Sequence, residues 1–184
     1  MKTTLNKIRE HDPCERSWKK LLNHLNKTKA DDEPLEIKTI LDINGFEDAV
    51  WALRAVDGHD KDIRLFVCDC AESVLHFFEN EFPDDSRPRK AIEIARKFAN
   101  GECNSDELIA ASDAARDAAK SAYVSNPLSN TFWCAYAASD AASDASWYPS
   151  NALWNVSNAL WDAAMVAEND AEKKKQVEFF MKYI

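Results

Sequence analysis

The most regular chemistry in the sequence belongs to four aspartates. Asp113 with Asp117, and Asp140 with Asp144, are i,i+4 pairs, a spacing that on a helix sets two carboxylates on one face about 6 Å apart. Carboxylates so placed suit general acid and base work or cation ligation. The helical wheel, however, puts them opposite the stripe Ala110, Ala111, Ala115, Ala118, Ala122, so solvent is their expected surrounding. An exposed carboxylate keeps an ordinary pKa and lacks the tuning that catalysis needs. Two readings are left, a solvated face and a patch for a partner. In the segment 132–147, Phe132, Tyr136 and Trp147 fall opposite the alanines. Either that helix is packed on both sides, or it exposes an aromatic strip that, beside Asp140 and Asp144, has the composition of a protein-binding hot spot. Asp113, Asp117, Asp140, Asp144, Tyr136 and Trp147 are therefore the candidate contact residues.

Other chemistries find less support. None of the four histidines, His11, His24, His59 and His76, has a Glu three residues before it, the arrangement that helical di-metal sites use. Cys68 and Cys70 stand roughly 200° apart around a helix and cannot chelate one ion together. Cys70 and His76 would be about 9 Å apart on one helix, too far for a thiol and its base. The glycines, Gly45, Gly58 and Gly101, are too scattered for a phosphate-cradling loop. No catalytic residue, metal or cofactor is expected.

Charge narrows the partner class. The chain totals minus nine, and residues 101–170 hold ten acids and two bases. A surface this negative repels a phosphate backbone and suits a basic protein. The amino terminus lacks the apolar core of a signal peptide and no stretch is long enough to span a bilayer, so a cytoplasmic location is expected, with the five cysteines reduced and mostly buried.

The elements that must position these residues are helical almost throughout. Asp12-Pro13-Cys14-Glu15 reads as a helix start with Asp12 as N-cap and Pro13 in the first position, ahead of Trp18, Leu21, Leu22 and Leu25 at helical spacing. Pro34 opens a short helix with Ile37, Ile40 and Leu41 on one face, ended by Asn44-Gly45. The alternation at Leu35, Ile37 and Thr39 permits a strand, but no convincing partner strand offers itself. Phe46, Ala49, Val50 and Leu53 face one side of the next helix. Ile63, Phe66, Val67, Cys70, Val74, Phe77 and Phe78 predict a core helix over 62–80, and Ala91, Ile92, Ala95 and Phe98 another that ends at Asn100-Gly101. Between them Asp84 and Asp85 can pair with Arg87 or Arg89. The run 110–115 returns as 137–142 at an offset of 27, which predicts two similar helices packed side by side. A weaker echo at Trp161-Asp162-Ala163-Ala164 and a seven-residue repetition stacking Trp154 on Trp161 follow. The expected fold is an all-α, single-domain multi-helix bundle over 1–184, with an amino-terminal helix and linker (1–33), central helices (34–101) and an Ala-rich, acidic, repeat-like carboxy-terminal half (102–184).

Two stretches resemble a known family. Asp42-Ile43-Asn44-Gly45-Phe46-Glu47-Asp48-Ala49-Val50-Trp51-Ala52-Leu53-Arg54 is similar to a motif of the Imm-5-like family of immunity proteins. So, more strongly, are Cys68-Asp69-Cys70-Ala71-Glu72-Ser73-Val74-Leu75-His76-Phe77-Phe78-Glu79, Phe82 to Glu93, and Phe98-Ala99-Asn100-Gly101-Glu102. The resemblance covers roughly 35–170. It implies an all-helical protein, encoded near toxin or phage-defence genes, with no established catalytic residue to carry over. Where the relatives place basic residues or His among the alanines, this chain has Asp113, Asp140 and Asp144. The expected function is neutralisation of a basic protein partner, a toxin or nuclease, through the acidic, aromatic-containing helical face. Mimicry of nucleic acid by a phage or mobile-element inhibitor, and a helical enzyme with a dispersed site, are the alternatives. The alanine-rich helices also permit a homo-oligomer.

Overall fold

The computed structural model describes residues 1–126, 131–143 and 170–184. The chain forms two compact units, one of residues 1–60 with 181–184 and one of residues 61–180. Apart from one two-stranded ribbon, the described residues are all-α.

In the first unit the ribbon pairs β1 (Lys2–Thr3) antiparallel with β2 (Leu35–Glu36), Lys2 opposite Glu36 and Thr3 opposite Leu35. The helix expected from Pro34 thus begins only at Ile37, because residues 2–3 supply the partner strand that the pattern of 35–39 lacked. Thr3 is buried, and its hydroxyl donates to the Ala55 carbonyl. A short helix α1 (Leu5–Glu10), capped by the Thr4 hydroxyl on the Lys7 amide at 3.2 Å, buries Leu5 and Ile8. Asp12 closes this helix with a φ of 51°, its amide donating to the Arg9 carbonyl. An N-cap needs extended backbone, so Asp12 is unavailable to α2 (Glu15–His24). Cys14 takes the N-cap position instead, and Pro13 lies outside the helix. Helices α3 (Ile37–Asn44) and α4 (Phe46–Ala52) meet at Gly45, whose φ of 103° is one that side-chain-bearing residues rarely adopt. A 3-10 turn, Leu53–Ala55, follows α4. Ile37, Ile40, Ala49 and Leu53 form the core of this unit.

The second unit is built from α5 (Asp60–Glu81), α6 (Arg87–Ala99), α7 (Ser105–Ser125), α8 (Thr131–Ala141) and most of α9 (Asp170–Tyr183). The expected stripe of α5 is buried at Ile63, Phe66, Val67, Cys70, Val74 and Phe78, while Phe77 turns outward. Phe66 meets Phe180 edge to face at 5.4 Å. Asp85 sets the start of α6, its carboxylate accepting from the Arg87 amide at 3.1 Å and from the guanidinium at 2.9 and 2.6 Å. Asn104 and Glu107 close a capping box at the start of α7, each side chain accepting from the other's backbone amide. Helix α7 packs on α6 and α8, and α6 packs on α8. Small residues are buried on both helices, Ala115, Ala118, Ala119 and Ala122 on α7 and Ala135, Ala137, Ala138 and Ala141 on α8. Small side chains let the backbones approach closely. The Trp154 and Trp161 repetition and its echo at Trp161 to Ala164 lie outside the described residues.

Candidate functional site

The packing of α7 against its neighbours fixes what it shows outward. Leu108, Ser112, Ala115, Ala118 and Ala122 are buried, and Ile109, Asp113, Asp117, Lys120 and Val124 are exposed at spacings of four and three. Of the expected alanine stripe, Ala115, Ala118 and Ala122 are buried, whereas Ala110 is exposed, Ala111 is half-buried, and Leu108 and Ser112 continue the buried side instead. Asp113 and Asp117 are exposed as expected, each with 64% of its side chain accessible. Each has a local cation. Arg116 bonds Asp113 at 3.3 Å and Lys120 bonds Asp117 at 3.0 Å, and the latter bond holds the Asp117 carboxyl below its usual range.

The other predicted residues fare differently. Asp140, expected in solvent, is half-buried near the end of α8. Desolvation pushes its carboxyl up to about 7 against the attraction of Arg116, and no side-chain hydrogen-bond partner is described for it. Helix α8 is buried nearly all round, with Cys134, Ala135, Ala137, Ala138, Ser139 and Ala141 inside, so a position opposite one alanine stripe still meets protein. Tyr136 is half-buried in an aromatic group, 6.1 Å from Phe132 and 6.5 Å from Trp133, and Phe132 meets Tyr123 at 5.4 Å. Tyr123 is itself exposed, beside Val124 with 79% of its surface accessible. Asp144 and Trp147 lie outside the described residues. The structure therefore brings Asp113, Asp117, Tyr123 and Val124 together on the outer surface of one helix, with Phe132 and Tyr136 next to its end, and separates Asp140 from that exposed row.

The serines inside the two similar runs meet. Ser112 donates to the Ser139 carbonyl at 2.9 Å, with the two hydroxyls 3.1 Å apart, so equivalent positions at the offset of 27 face one another across the seam. This bond ties α7 to α8.

A second cluster was missed. Along the α5–α6 seam, Arg96 bonds Asp69 at 2.8 Å and Glu72 at 2.7 Å, and Arg89 bonds Glu72 at 3.2 Å and Glu79 at 2.5 and 2.8 Å. Burial works against the Arg96 charge, and its two carboxylates more than offset it. Arg89 holds the Glu79 carboxyl below its ordinary value. Two arginines seven apart on one helix, facing acids three and seven apart on its neighbour, are visible in the sequence once the helices are paired. The network spends its charges internally and so has a structural role.

Cys70 and His76 do not form a thiol and base pair. Cys70 is buried while His76 is exposed, its ring nitrogen at 3.1 Å from the Ser73 carbonyl. Cys68 lies in the core and burial pushes its thiol up to about 12. Cys14 is the opposite case, exposed at a helix start, where the Ser17 and Arg16 amides pull its thiol below the ordinary value. Among the described residues no group of His, Cys, Asp or Glu could hold a metal ion, and no helix is long and apolar enough to cross a membrane.

No curated protein and no solved structure matches the chain. A family model does, over a shorter span than the resemblance first drawn at 35–170, and the stretch Asp42 to Arg54 falls outside it. Residues 57–146, the span that carries α5, α6, α7 and α8, match the family described as Imm-5 like putative immunity protein.

Proposed function

We propose that this chain is an immunity-type protein, acting in the cytoplasm without a cofactor, that neutralises a basic protein partner such as a toxin or nuclease by binding it. The outer face of α7 supplies the contact, with Asp113 and Asp117 at its centre and Tyr123, Val124 and Tyr136 at its carboxy-terminal end. The observation that carries this reading is the family match over the helices that display the face. Supporting it, the exposed row Ile109, Asp113, Asp117, Lys120 and Val124 sets acidic and large apolar side chains along one face with a single base among them, a mixture that can steer a basic partner and then anchor it.

The test is capture from the native host followed by reconstitution. A partner that copurifies at about 0.1 M salt and dissociates at about 0.5 M is purified, and its toxic or nuclease activity is measured with and without one equivalent of this protein. Abolished activity supports the reading. A captured partner whose activity is untouched contradicts it, and competition by duplex DNA for the same partner would favour mimicry of nucleic acid instead.

A further inference from the structure

The two similar runs leave aspartates at equivalent places, Asp113 on α7 and Asp140 on α8, each following a serine of the pair that joins these helices at 2.9 Å. One cation serves both. The Arg116 guanidinium bonds Asp113 at 3.3 Å and is also the charge that attracts Asp140. The bonded pair stands at the edge of the outer face, with 41% of the Arg116 side chain and 64% of the Asp113 side chain exposed. Asp140 is half-buried, with no side-chain hydrogen-bond partner among the described residues.

The other charges around α8 are engaged elsewhere. Asp140 is the one charged side chain of Thr131–Ala141. On α6, Arg96 bonds Asp69 and Glu72, Arg89 bonds Glu72 and Glu79, Arg87 bonds Asp85, and Lys90, Glu93 and Lys97 are exposed. Arg64 of α5 donates to the Ser143 carbonyl at 3.0 Å and lies 4.8 Å from the Phe98 ring. On α7, Lys120 bonds the exposed Asp117. Arg116 is thus the cation on which two carboxylates of unlike surroundings converge. Against exposed Asp113 it gains little, because water screens such a pair. Against desolvated Asp140 an ion pair is stronger, since the local dielectric is low and the oxygens have no other donor. Burial pushes the Asp140 carboxyl up to about 7, and while protonated it offers Arg116 little attraction.

We propose that Arg116 is a shared counter-ion that exchanges between Asp113 and Asp140, so that ionisation of Asp140 draws it inward and uncovers Asp113 for a basic partner. The coupling is reciprocal. A partner's cation on Asp113 sends Arg116 to Asp140, so binding releases a proton and tightens as pH rises through neutrality. This regulation rests on the reading of the α7 row as the contact surface.

The full chain, labelled with ¹³C at its aspartate carboxyls, is titrated by NMR from about pH 4 to pH 9 at about 0.02 M salt, with the signals assigned through Asp113→Asn, Asp117→Asn and Asp140→Asn. Asp113→Asn should lower the Asp140 midpoint by about one pH unit, as the freed guanidinium turns inward. Arg116→Gln should raise that midpoint and abolish the effect of Asp113→Asn. No effect of Asp113→Asn, or an equal effect with and without Arg116, overturns the proposal, the latter because the two carboxylates would then act on each other directly. In the wild type, N-acetyl-tetralysine amide stands in for a basic partner and should lower the Asp140 midpoint, but not in Arg116→Gln. Tetralysine that moves the Asp113 and Asp117 signals without moving the Asp140 midpoint overturns the coupling and leaves the α7 row standing. Tetralysine that moves neither signal counts against the row, and the two substitutions still decide whether Arg116 is shared.

Discussion

Carboxylates meet opposite fates at the two helix seams of the second unit. At the α5–α6 seam Asp69, with 16% of its side chain exposed, lies 2.8 Å from the Arg96 guanidinium, and Glu72 and Glu79 are likewise paired. At the α7–α8 seam Asp140 is similarly withdrawn from water, but Arg116 acts on it only at a distance and its carboxyl is pushed up to about 7. Burial is common to both, so the partner decides the charge state. A desolvated acid with a bonded guanidinium stays ionised, and one without it binds its proton more tightly than a carboxyl in water. The first seam is locked by charge and the second by alanine contacts and one serine pair.

The comparison breaks most visibly at Arg96. Arg96→Met takes the guanidinium away from the desolvated Asp69 and from Glu72, and urea unfolding at pH 7 should show a loss of about 3 kcal/mol. A loss within the scatter of surface substitutions would mean that the α5–α6 charges are ornamental to stability.

Asp140 gives the next effect, and its sign is the reverse of the usual carboxylate. Its folded value lies above its unfolded one, so between about pH 4 and pH 7 the folded state binds more protons and wild-type stability falls as pH rises through that window. Asp140→Asn removes the titration. The variant should be more stable than wild type by about 2 kcal/mol at pH 8 and nearly equal to it at pH 4, read from paired unfolding curves. A difference that does not change with pH would place the Asp140 carboxylate in contact with water.

The serine pair contributes less. Ser112→Ala removes the donor to the Ser139 carbonyl while keeping a small side chain at the seam, and should cost about 1 kcal/mol, a shift of a few degrees in Tm. The smallest effect on folding belongs to the outer face. Asp113→Lys with Asp117→Lys should leave the unfolding curve unmoved, because both side chains are exposed, yet slow association with a basic partner about tenfold at low salt.

What could be read beforehand follows the strength of local signals. The apolar period through Ile63, Phe66, Val67, Cys70 and Val74 is long enough to define α5, and Asn100-Gly101 marks the end of α6 with a φ of 75° at Gly101. Asp85 and Arg87 meet as their spacing suggested. The ribbon was illegible because two-residue strands carry no period, and its partner stands more than thirty residues away. Asp12 was misplaced because one residue cannot close α1 in a left-handed conformation and also cap α2 in an extended one. For the candidate site, exposure of Asp113 and Asp117 followed from the wheel because α7 has an open side. The same wheel failed at Asp140 because α8 is enclosed, and a helix's own sequence does not say how many neighbours it has.

The central claim is that the exposed acidic row of α7 is the recognition surface of an immunity-type protein. Its most direct test is inhibition of the purified partner's activity by the wild-type chain and by the Asp113→Lys, Asp117→Lys variant, at about 0.1 M salt. The account predicts full inhibition by one equivalent of wild type and at least tenfold weaker inhibition by the equally stable variant. Equal inhibition by both proteins would contradict it.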